Sequence, residues 1–180
     1  MKSKPMPKRA RLRPICPEIR RTQAADSAAV ARIFDGPLVV AGTLQLPFAS
    51  ADVWQRRLAA DPTGGIISLV ACVKAEPVGM IGLHTNPDNP RVQHVAELGM
   101  AVRDDRQGRG IGTALLRAAL ELADGWLQLR RVHLSVYTDN EPAVRLYRTH
   151  GFEVEGTQRE LAFRAGRYVD AFLMARLRPS

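Results

Sequence analysis

Three glycines lie within five residues of one another, at Gly108, Gly110 and Gly112, in a segment that also carries Arg106 and Arg109. Glycines this close together destabilise a helix interior, so they indicate a turn that needs permissive backbone angles and close approach. Successive main-chain N–H groups in such a turn can point at one anion, helped by the dipole of a following helix and by the two arginines. The segment therefore predicts a site for phosphate groups, and a pyrophosphate fits it.

Neither of the common nucleotide-binding patterns matches this loop. The phosphate loop of nucleoside triphosphatases needs GxxxxGK followed by Ser or Thr, and no lysine lies near. The dinucleotide pattern is GxGxxG, whereas the spacing here is GxGxG. A glycine-rich connector with solvent-facing arginines is the alternative that the loop alone leaves open.

The loop is predicted to connect a strand to a long amphipathic helix. A mostly apolar run predicts the strand at 95–102, and an apolar stripe at helical spacing predicts the helix at 110–127. A further strand at 132–137 completes a strand–helix–strand unit, which is where a parallel pair of strands is expected.

The remaining chain is predicted to form short strands and helices around the same sheet. The predicted elements are a strand at 18–22, a helix at 26–34, a helix from about 50 to 60, strands at 66–73 and 78–85, a helix at 141–150, and a hairpin of 152–163 with 168–177. Four residues are too few for a crossover between the strands at 66–73 and 78–85, so these should be antiparallel. The predicted fold class is α+β, with a mixed, mostly antiparallel sheet flanked by helices in a single domain over 17–180.

The composition favours one globular domain and argues against a membrane-spanning or disulfide-rich protein. The 180 residues are 46% hydrophobic and 24% charged, which suits one globular domain. The apolar run at 66–73 is far shorter than the roughly 20 residues of a membrane-spanning helix, and no signal peptide is recognisable, so we expect a cytoplasmic protein with no membrane partner. Cys16 and Cys72 lack the spacing of a metal site or a disulfide framework, and no metal is expected.

The positive charge is concentrated at the start of the chain. Six of the net eight positive charges come from lysines and arginines in the first 13 residues, which contain no acidic residue. Residues 1–16 are therefore predicted to be a basic, disordered tail. A specific contact to RNA or another anionic surface is the alternative, but no zinc-finger spacing or aromatic motif supports a nucleic-acid partner.

The glycine loop resembles the signature of a known enzyme family. Residues 107–112, QGRGIG, match the Q/R-x-x-G-x-G/A signature of the GCN5-related N-acetyltransferases (GNAT), at the position between strand and helix where that family has it. The sequence NEPA from Asn140, Tyr147 and the pair Gly151 and Phe152 also resemble that family. The resemblance extends over about 19–177 and is strongest to bacterial L-amino acid N-acetyltransferases, in residues 43–47, Trp54, 136–140 and 168–171.

The resemblance implies acetyl-coenzyme A (acetyl-CoA) as co-substrate. Its pyrophosphate is expected on the loop residues Gln107, Gly108, Arg109, Gly110, Ile111, Gly112 and Thr113. Its pantetheine arm is expected beside Met100, Ala101 and Val102, as an extra strand would lie, where that strand splays from its neighbour. Asn140 is the expected side-chain contact to the arm, although an asparagine here is equally typical of a helix N-cap.

Two residues are candidates for the proton transfers that amine acetylation needs. Glu97 interrupts the apolar run of a predicted central strand, where an unpaired carboxylate would be costly, and the family often has an acidic residue there that acts as base directly or through water. The alternatives are an ion pair with His84, His94 or an arginine, and simple binding of a substrate ammonium group. Tyr147 is the candidate acid for the departing thiolate, and core packing with Val144 is its alternative.

The acceptor site is expected between the first two helices and the final hairpin. Phe34, Leu46, Phe48, Trp54 and Tyr168 could line it, or could be ordinary core residues. The resemblance implies acetyl transfer to a small amine, with a free L-amino acid as the expected acceptor and a homodimer as a common assembly. The alternatives are a protein or aminoglycoside acetyltransferase and a noncatalytic module that binds acetyl-CoA. A polycationic drug would need an acidic groove, which the surplus of arginine does not favour.

Overall fold

The computed structural model describes residues 13–48, 50–59 and 64–178. In this part of the chain the strands are β1 (Glu18–Arg21), β2 (Ile66–Val73), β3 (Glu76–Thr85), β4 (Val95–Val102), β5 (Arg131–Tyr137), β6 (Glu153–Arg164) and β7 (Arg167–Leu177). The helices are α1 (Ser27–Phe34), α2 (Pro37–Gly42), α3 (Ala51–Ala59), α4 (Ile111–Gly125) and α5 (Glu141–Arg148). None of these helices is long and apolar enough to cross a lipid bilayer.

The strands form one mixed sheet in the order β1-β2-β3-β4-β5-β7-β6. Within it β4 and β5 are parallel, and the other neighbouring strands are antiparallel. The predicted α+β class and the predicted place of the parallel pair are confirmed. The helix α4 is long enough to return the chain to the same edge, as a parallel connection requires.

Helices cover both faces of the sheet. On one face the stripe of α4 that includes Leu115, Leu116 and Ala119 packs in a core with Leu83 and Leu134 from the strands. On the other face α1 and α3 pack on β2 and β4 through a second core, whose members include Val30, Ile33, Phe34, Trp54, Val70 and Ala101. Residues of both cores line the cleft that is described below.

Helix α2 was not predicted from the sequence. A proline just after a helix is typical of its end, but Pro37 is the first residue of α2, where a missing N–H costs nothing. The carboxylate of Asp104 accepts hydrogen bonds from the N–H groups of Leu38 (2.9 Å) and Val39 (3.1 Å). The capping group of this short helix thus comes from a distant part of the chain, and local sequence does not reveal it.

The β2–β3 hairpin is tighter than predicted. Lys74 and Ala75 both have positive φ, 51° and 64°, as the two central residues of a mirror-image hairpin turn do. Strand β3 consequently begins at Glu76, two residues before the predicted 78. Pro77 is accommodated because the register shifts between Ala71 and Cys72 on the opposite strand.

Ile15, which precedes the predicted domain boundary at residue 17, contacts the folded domain. The N–H of Ile15 donates a hydrogen bond to the carbonyl of Arg109 at 2.9 Å, and the Ile15 side chain packs against the first core. Ile15 was predicted to belong to the tail of residues 1–16, and these contacts join it to the domain. The predicted disorder of the preceding basic segment concerns residues 1–12, which lie outside the described residues.

Candidate active site

The sheet opens between β4 and β5. These strands pair only through Val95–Glu97 and Arg131–His133, so residues 98–102 have a strand partner on the β3 side alone. A cleft of about 1050 Å³ occupies the space that follows. Its lining includes Met100, Ala101 and Val102, as predicted for the strand beside the cofactor arm.

Two glycines of the loop have the permissive backbone angles that their spacing predicts. Gly108 and Gly110 have φ of 71° and 86°, in the left-handed region that other residues enter only with strain. Gly110 is the N-cap of α4 and supplies no side chain to cap it. The first hydrogen bond of the helix joins the Ala114 N–H to the Gly110 carbonyl. The preceding N–H groups of the first turn therefore have no partner within the helix and are available to bind an anion.

Gly112 has a different role from its two neighbours. It lies inside the first turn of α4, and a Cβ there would stand 3.3 Å from Cδ2 of Leu146 and 3.5 Å from Cε of Met100. The glycine therefore allows α4 to approach α5 and β4 closely. All predicted loop residues except Arg109 line the cleft.

Two arginines of the loop carry a buried N–H without a partner. Nε of Arg106 and Nε of Arg109 are buried and make no hydrogen bond within the described residues. Nε of Arg106 is 3.1 Å from a carboxylate oxygen of Asp105, a distance of an ion pair but without hydrogen-bond geometry. Both arginines were predicted to assist the anion site; Arg106 lines the cleft, whereas Arg109 does not. These orphaned cationic N–H groups and the free amides of α4 fit an anionic group such as a pyrophosphate.

Asn140 caps α5 and also lines the cleft. Its Oδ1 accepts a hydrogen bond from the Ala143 N–H at 3.3 Å, which confirms the N-cap alternative. Its Nδ2 lies 3.5 Å from the position that a Cβ on Gly42 would occupy, and it donates no hydrogen bond to a described residue. The amide can therefore cap the helix and donate to a bound ligand at the same time.

Glu97 is exposed to the cleft, so the argument from burial that led to it was wrong. Residues of β4 point alternately to opposite faces of the sheet. Glu97 is exposed, between the buried Ala96 and Leu98, and it lines the cleft. It is in register with His84 on β3 and with His133 on β5, and paired positions share a face. No described cation lies within 4.0 Å of its carboxylate, so the predicted alternative of an ion pair is not formed.

Tyr147 is almost completely buried while still lining the cleft. Its ring packs against Phe152, with centroids 5.6 Å apart, and it belongs to the same core as Val144. Burial raises the pKa of Tyr147 to about 12, because the phenolate would lose its hydration. The hydroxyl is therefore protonated at neutral pH and forms no hydrogen bond with a described residue.

The acceptor end of the cleft contains only part of the predicted apolar set. Phe34 and Trp54 line it and stack with ring centroids 4.4 Å apart. Leu46, Phe48 and Tyr168 do not line it; they are 82%, 92% and 64% exposed. The first two lie in the loop after α2, and Tyr168 lies near the tip of the last hairpin, so the structure does not bring them to the site.

The family of the chain follows from its sequence relatives. Residues 38–152 match the Acetyltransferase (GNAT) family. Over 160 residues the chain is 41% identical to the L-amino acid N-acetyltransferase AaaT of Escherichia coli K12, covering 89% of this chain and 97% of AaaT. The chain belongs to the GNAT acetyltransferase family. It is therefore an acetyltransferase that uses acetyl-CoA, as the resemblance implied.

Solved structures of GNAT proteins share its fold. A GNAT acetyltransferase from Streptococcus pneumoniae superposes with a TM-score of 0.77 and 26% identity, covering 89% of this chain and 98% of that one. YncA of Salmonella typhimurium, solved with its cofactor acetyl-CoA, gives a TM-score of 0.80 at 20% identity, covering 91% and 94%.

The GNAT cleft also contains polar residues that sequence reasoning did not select. His84 lines it beside Glu97, and its Nε2 lies 3.4 Å from where a Cβ on Gly82 would be, so its ring leans over that glycine. Arg57 and Gln45 line the acceptor end. In the sequence these residues look like ordinary strand, helix and loop positions, and only the position of the cleft distinguishes them.

Proposed function

We propose that this enzyme transfers the acetyl group of acetyl-CoA to the α-amine of free L-amino acids. The observation that carries the proposal is a single cleft that joins two chemically different ends. One end has the free amides of the glycine loop and the buried Nε–H of Arg106, and the other has the carboxylate of Glu97 among apolar side chains. The name of AaaT, an L-amino acid N-acetyltransferase, supports the acceptor class.

The glycine loop and β4 would hold acetyl-CoA, which supplies an acetyl group activated as a thioester. The amides around Gly110 would bind its pyrophosphate, with Arg106 adding positive charge. The free edge of β4 at residues 100–102 would take its arm as an added strand, and the Asn140 amide would donate to it. An N–H of this edge would stabilise the thioester oxygen as it gains negative charge.

Glu97 is proposed to receive the proton that the acceptor amine must lose. An ammonium group has no lone pair and cannot attack, so a base within reach, directly or through one water, is required. The exposure of Glu97 in the cleft leaves room for such a water. The same carboxylate would attract the ammonium form before the reaction, so binding and base roles are compatible.

Tyr147 is proposed to donate to the sulfur that leaves. Starting from the bound ammonium form, a C–N bond forms and the C–S bond breaks, while the nitrogen loses two protons. One of these protons passes through Glu97 to solvent before attack, and the other ends on the sulfur. A phenol of pKa about 12 is a weaker acid than a thiol of pKa about 8.5, so complete proton transfer is uphill by roughly 5 kcal/mol. Tyr147 would therefore stabilise the thiolate mainly by a hydrogen bond, and the second proton, which the nitrogen loses after attack, would finally neutralise the sulfur.

The proposal places the reaction in the cytoplasm and needs no metal. Among the described residues there is no group of three or more His, Cys, Asp or Glu side chains that could hold a metal ion. A homodimer stays a prediction.

The test incubates the enzyme with acetyl-CoA and each of a panel of L-amino acids. Turnover is measured by the release of the free CoA thiol. We expect turnover with at least one amino acid, and a fall in kcat of about 100-fold or more for Glu97→Gln, since a positioned base contributes about 10²- to 10⁴-fold. Glu121→Gln, an exposed position on α4, is the matched control. Binding of acetyl-CoA without turnover of any amino acid would overturn the proposed function.

A further inference from the structure

We infer that Arg57 binds the α-carboxylate of the acceptor and makes the enzyme selective for free amino acids over amines without that group. The inference rests on the proposed function and adds a recognition residue to it. It concerns the acceptor end of the cleft, where Arg57 of α3 is part of the lining.

Neutral groups hold Arg57 in place. Its guanidinium carbon lies 5.0 Å from the centre of the Trp54 ring, and Trp54 is in turn stacked on Phe34. Nη1 of Arg57 donates a hydrogen bond to Oε1 of Gln45 at 2.9 Å. Gln45 follows Thr43, whose hydroxyl is fixed by a 2.8 Å hydrogen bond to the Val39 carbonyl. The guanidinium is thus oriented on a rigid aromatic surface, and its charge is not neutralised by these contacts.

Arg57 differs from the arginines that stabilise the fold. Arg20, Arg103, Arg131, Arg164 and Arg176 each form an ion pair with an Asp or Glu side chain. No described carboxylate lies within ion-pair distance of Arg57. A guanidinium has five N–H donors in a planar fork, and one is used by Gln45, so the remaining donors can grip both oxygens of a carboxylate.

The charges of the acceptor end complement a zwitterion. Glu97 offers a negative group and Arg57 a positive one, and Phe34, Trp54 and Met80 add apolar surface to the same lining. A free amino acid carries an ammonium group, a carboxylate and a side chain. A neutral amine or a polyamine would leave the guanidinium without its counterion, which makes such acceptors poorer.

The test compares one amino acid with its own carboxamide. The probes are the panel L-amino acid with the highest kcat/KM and its α-carboxamide, in which a neutral amide replaces the carboxylate. The proteins are the unaltered enzyme, Arg57→Gln, Arg57→Lys and the control Arg56→Gln, an exposed neighbour on α3 outside the cleft lining. Circular dichroism melts establish that each variant is folded.

For Arg57→Gln we expect kcat/KM for the amino acid to fall about 10- to 100-fold, mainly through KM, because a charge-assisted hydrogen bond is lost. The value for the carboxamide should change by less than about 3-fold, so the preference for the acid disappears. Arg57→Lys should restore part of the preference, since it keeps the charge without the fork. Arg56→Gln should resemble the unaltered enzyme.

Equal losses for acid and carboxamide in Arg57→Gln, or an unchanged preference, would overturn the inference while leaving the proposed function intact. An unaltered enzyme that prefers the carboxamide would overturn it as well. If the unaltered enzyme turns over no amino acid, the proposed function itself fails.

Discussion

Replacing Tyr147 by Phe separates its proposed role in the reaction from its role in the core. The substitution removes one hydroxyl and keeps the ring that packs on Phe152. That hydroxyl has no described hydrogen-bond partner, so the free energy of unfolding at pH 8 should change by less than about 1 kcal/mol. In contrast, kcat should fall about 100-fold, since the leaving sulfur loses its donor.

The raised pKa gives a second and independent measure. A folded pKa of about 12 lies above the ordinary phenol value of 10.0, so the contribution of Tyr147 to stability is complete below pH 10 and is lost as pH rises through 12. At pH 11 the unfolded phenol is mostly ionised and the folded one mostly protonated, and this difference costs about 1.4 kcal/mol. Phenylalanine does not titrate. Between pH 8 and pH 11 the free energy of unfolding of Tyr147→Phe should therefore fall by about 1.4 kcal/mol less than that of the unaltered enzyme.

Two assays test this reasoning. Release of the CoA thiol at pH 8 gives kcat, and urea denaturation at pH 8 and pH 11 gives the free energies of unfolding. Tyr168→Phe, at a 64% exposed ring, is the matched control for the denaturation measurements. A folded Tyr147→Phe protein with kcat within about 3-fold of the original would refute the donor role. An equal pH dependence of stability in both proteins would refute the buried, protonated phenol.

Two further changes test the ends of the cleft. Gly110→Val forces a β-branched residue to φ of 86°, so calorimetry should find the affinity for acetyl-CoA reduced at least about 10-fold. The control Gly125→Ala should leave the affinity unchanged. An unchanged affinity in Gly110→Val would contradict the assignment of the loop. Asp104→Ala removes the cap of α2 and should lower stability by about 1 to 2 kcal/mol and raise the acceptor KM more than the acetyl-CoA Kd. A melting temperature within 1 °C of the original would show that this cap contributes little.

Local sequence signals predicted most of the fold. The strands at 66–73 and 95–102 were predicted with the bounds that the structure shows, because apolar runs and turn residues mark their ends. The parallel pair followed from connection lengths alone. Helix α2 was missed because Asp104, which caps it, is 66 residues from Leu38 along the chain.

The candidate site was less accessible to sequence reasoning. The glycine loop has an unusual composition and was recognisable, whereas Arg57 is one of two adjacent arginines on an exposed helix and gains significance only by its stacking on Trp54. The exposure of Glu97 depends on how far β4 and β5 pair, which is a property of the whole sheet. Leu46 and Tyr168 have the residue types of a binding site, but they are exposed and are not part of the cleft lining.

The short contact between β4 and β5 divides the sheet at one point of the sequence. All strands of one half, β1 to β4, precede α4, and all strands of the other, β5 to β7, follow it. A chain cut between residues 126 and 130 would therefore yield two fragments, each retaining its own strand ladder. They would meet along three β4–β5 residue pairs, the α4 surface and hydrogen bonds such as that from the Tyr137 hydroxyl to the Thr43 carbonyl. A ligand seated across the gap would hold such fragments together, which makes this architecture a natural starting point for a split reporter of cellular acetyl-CoA.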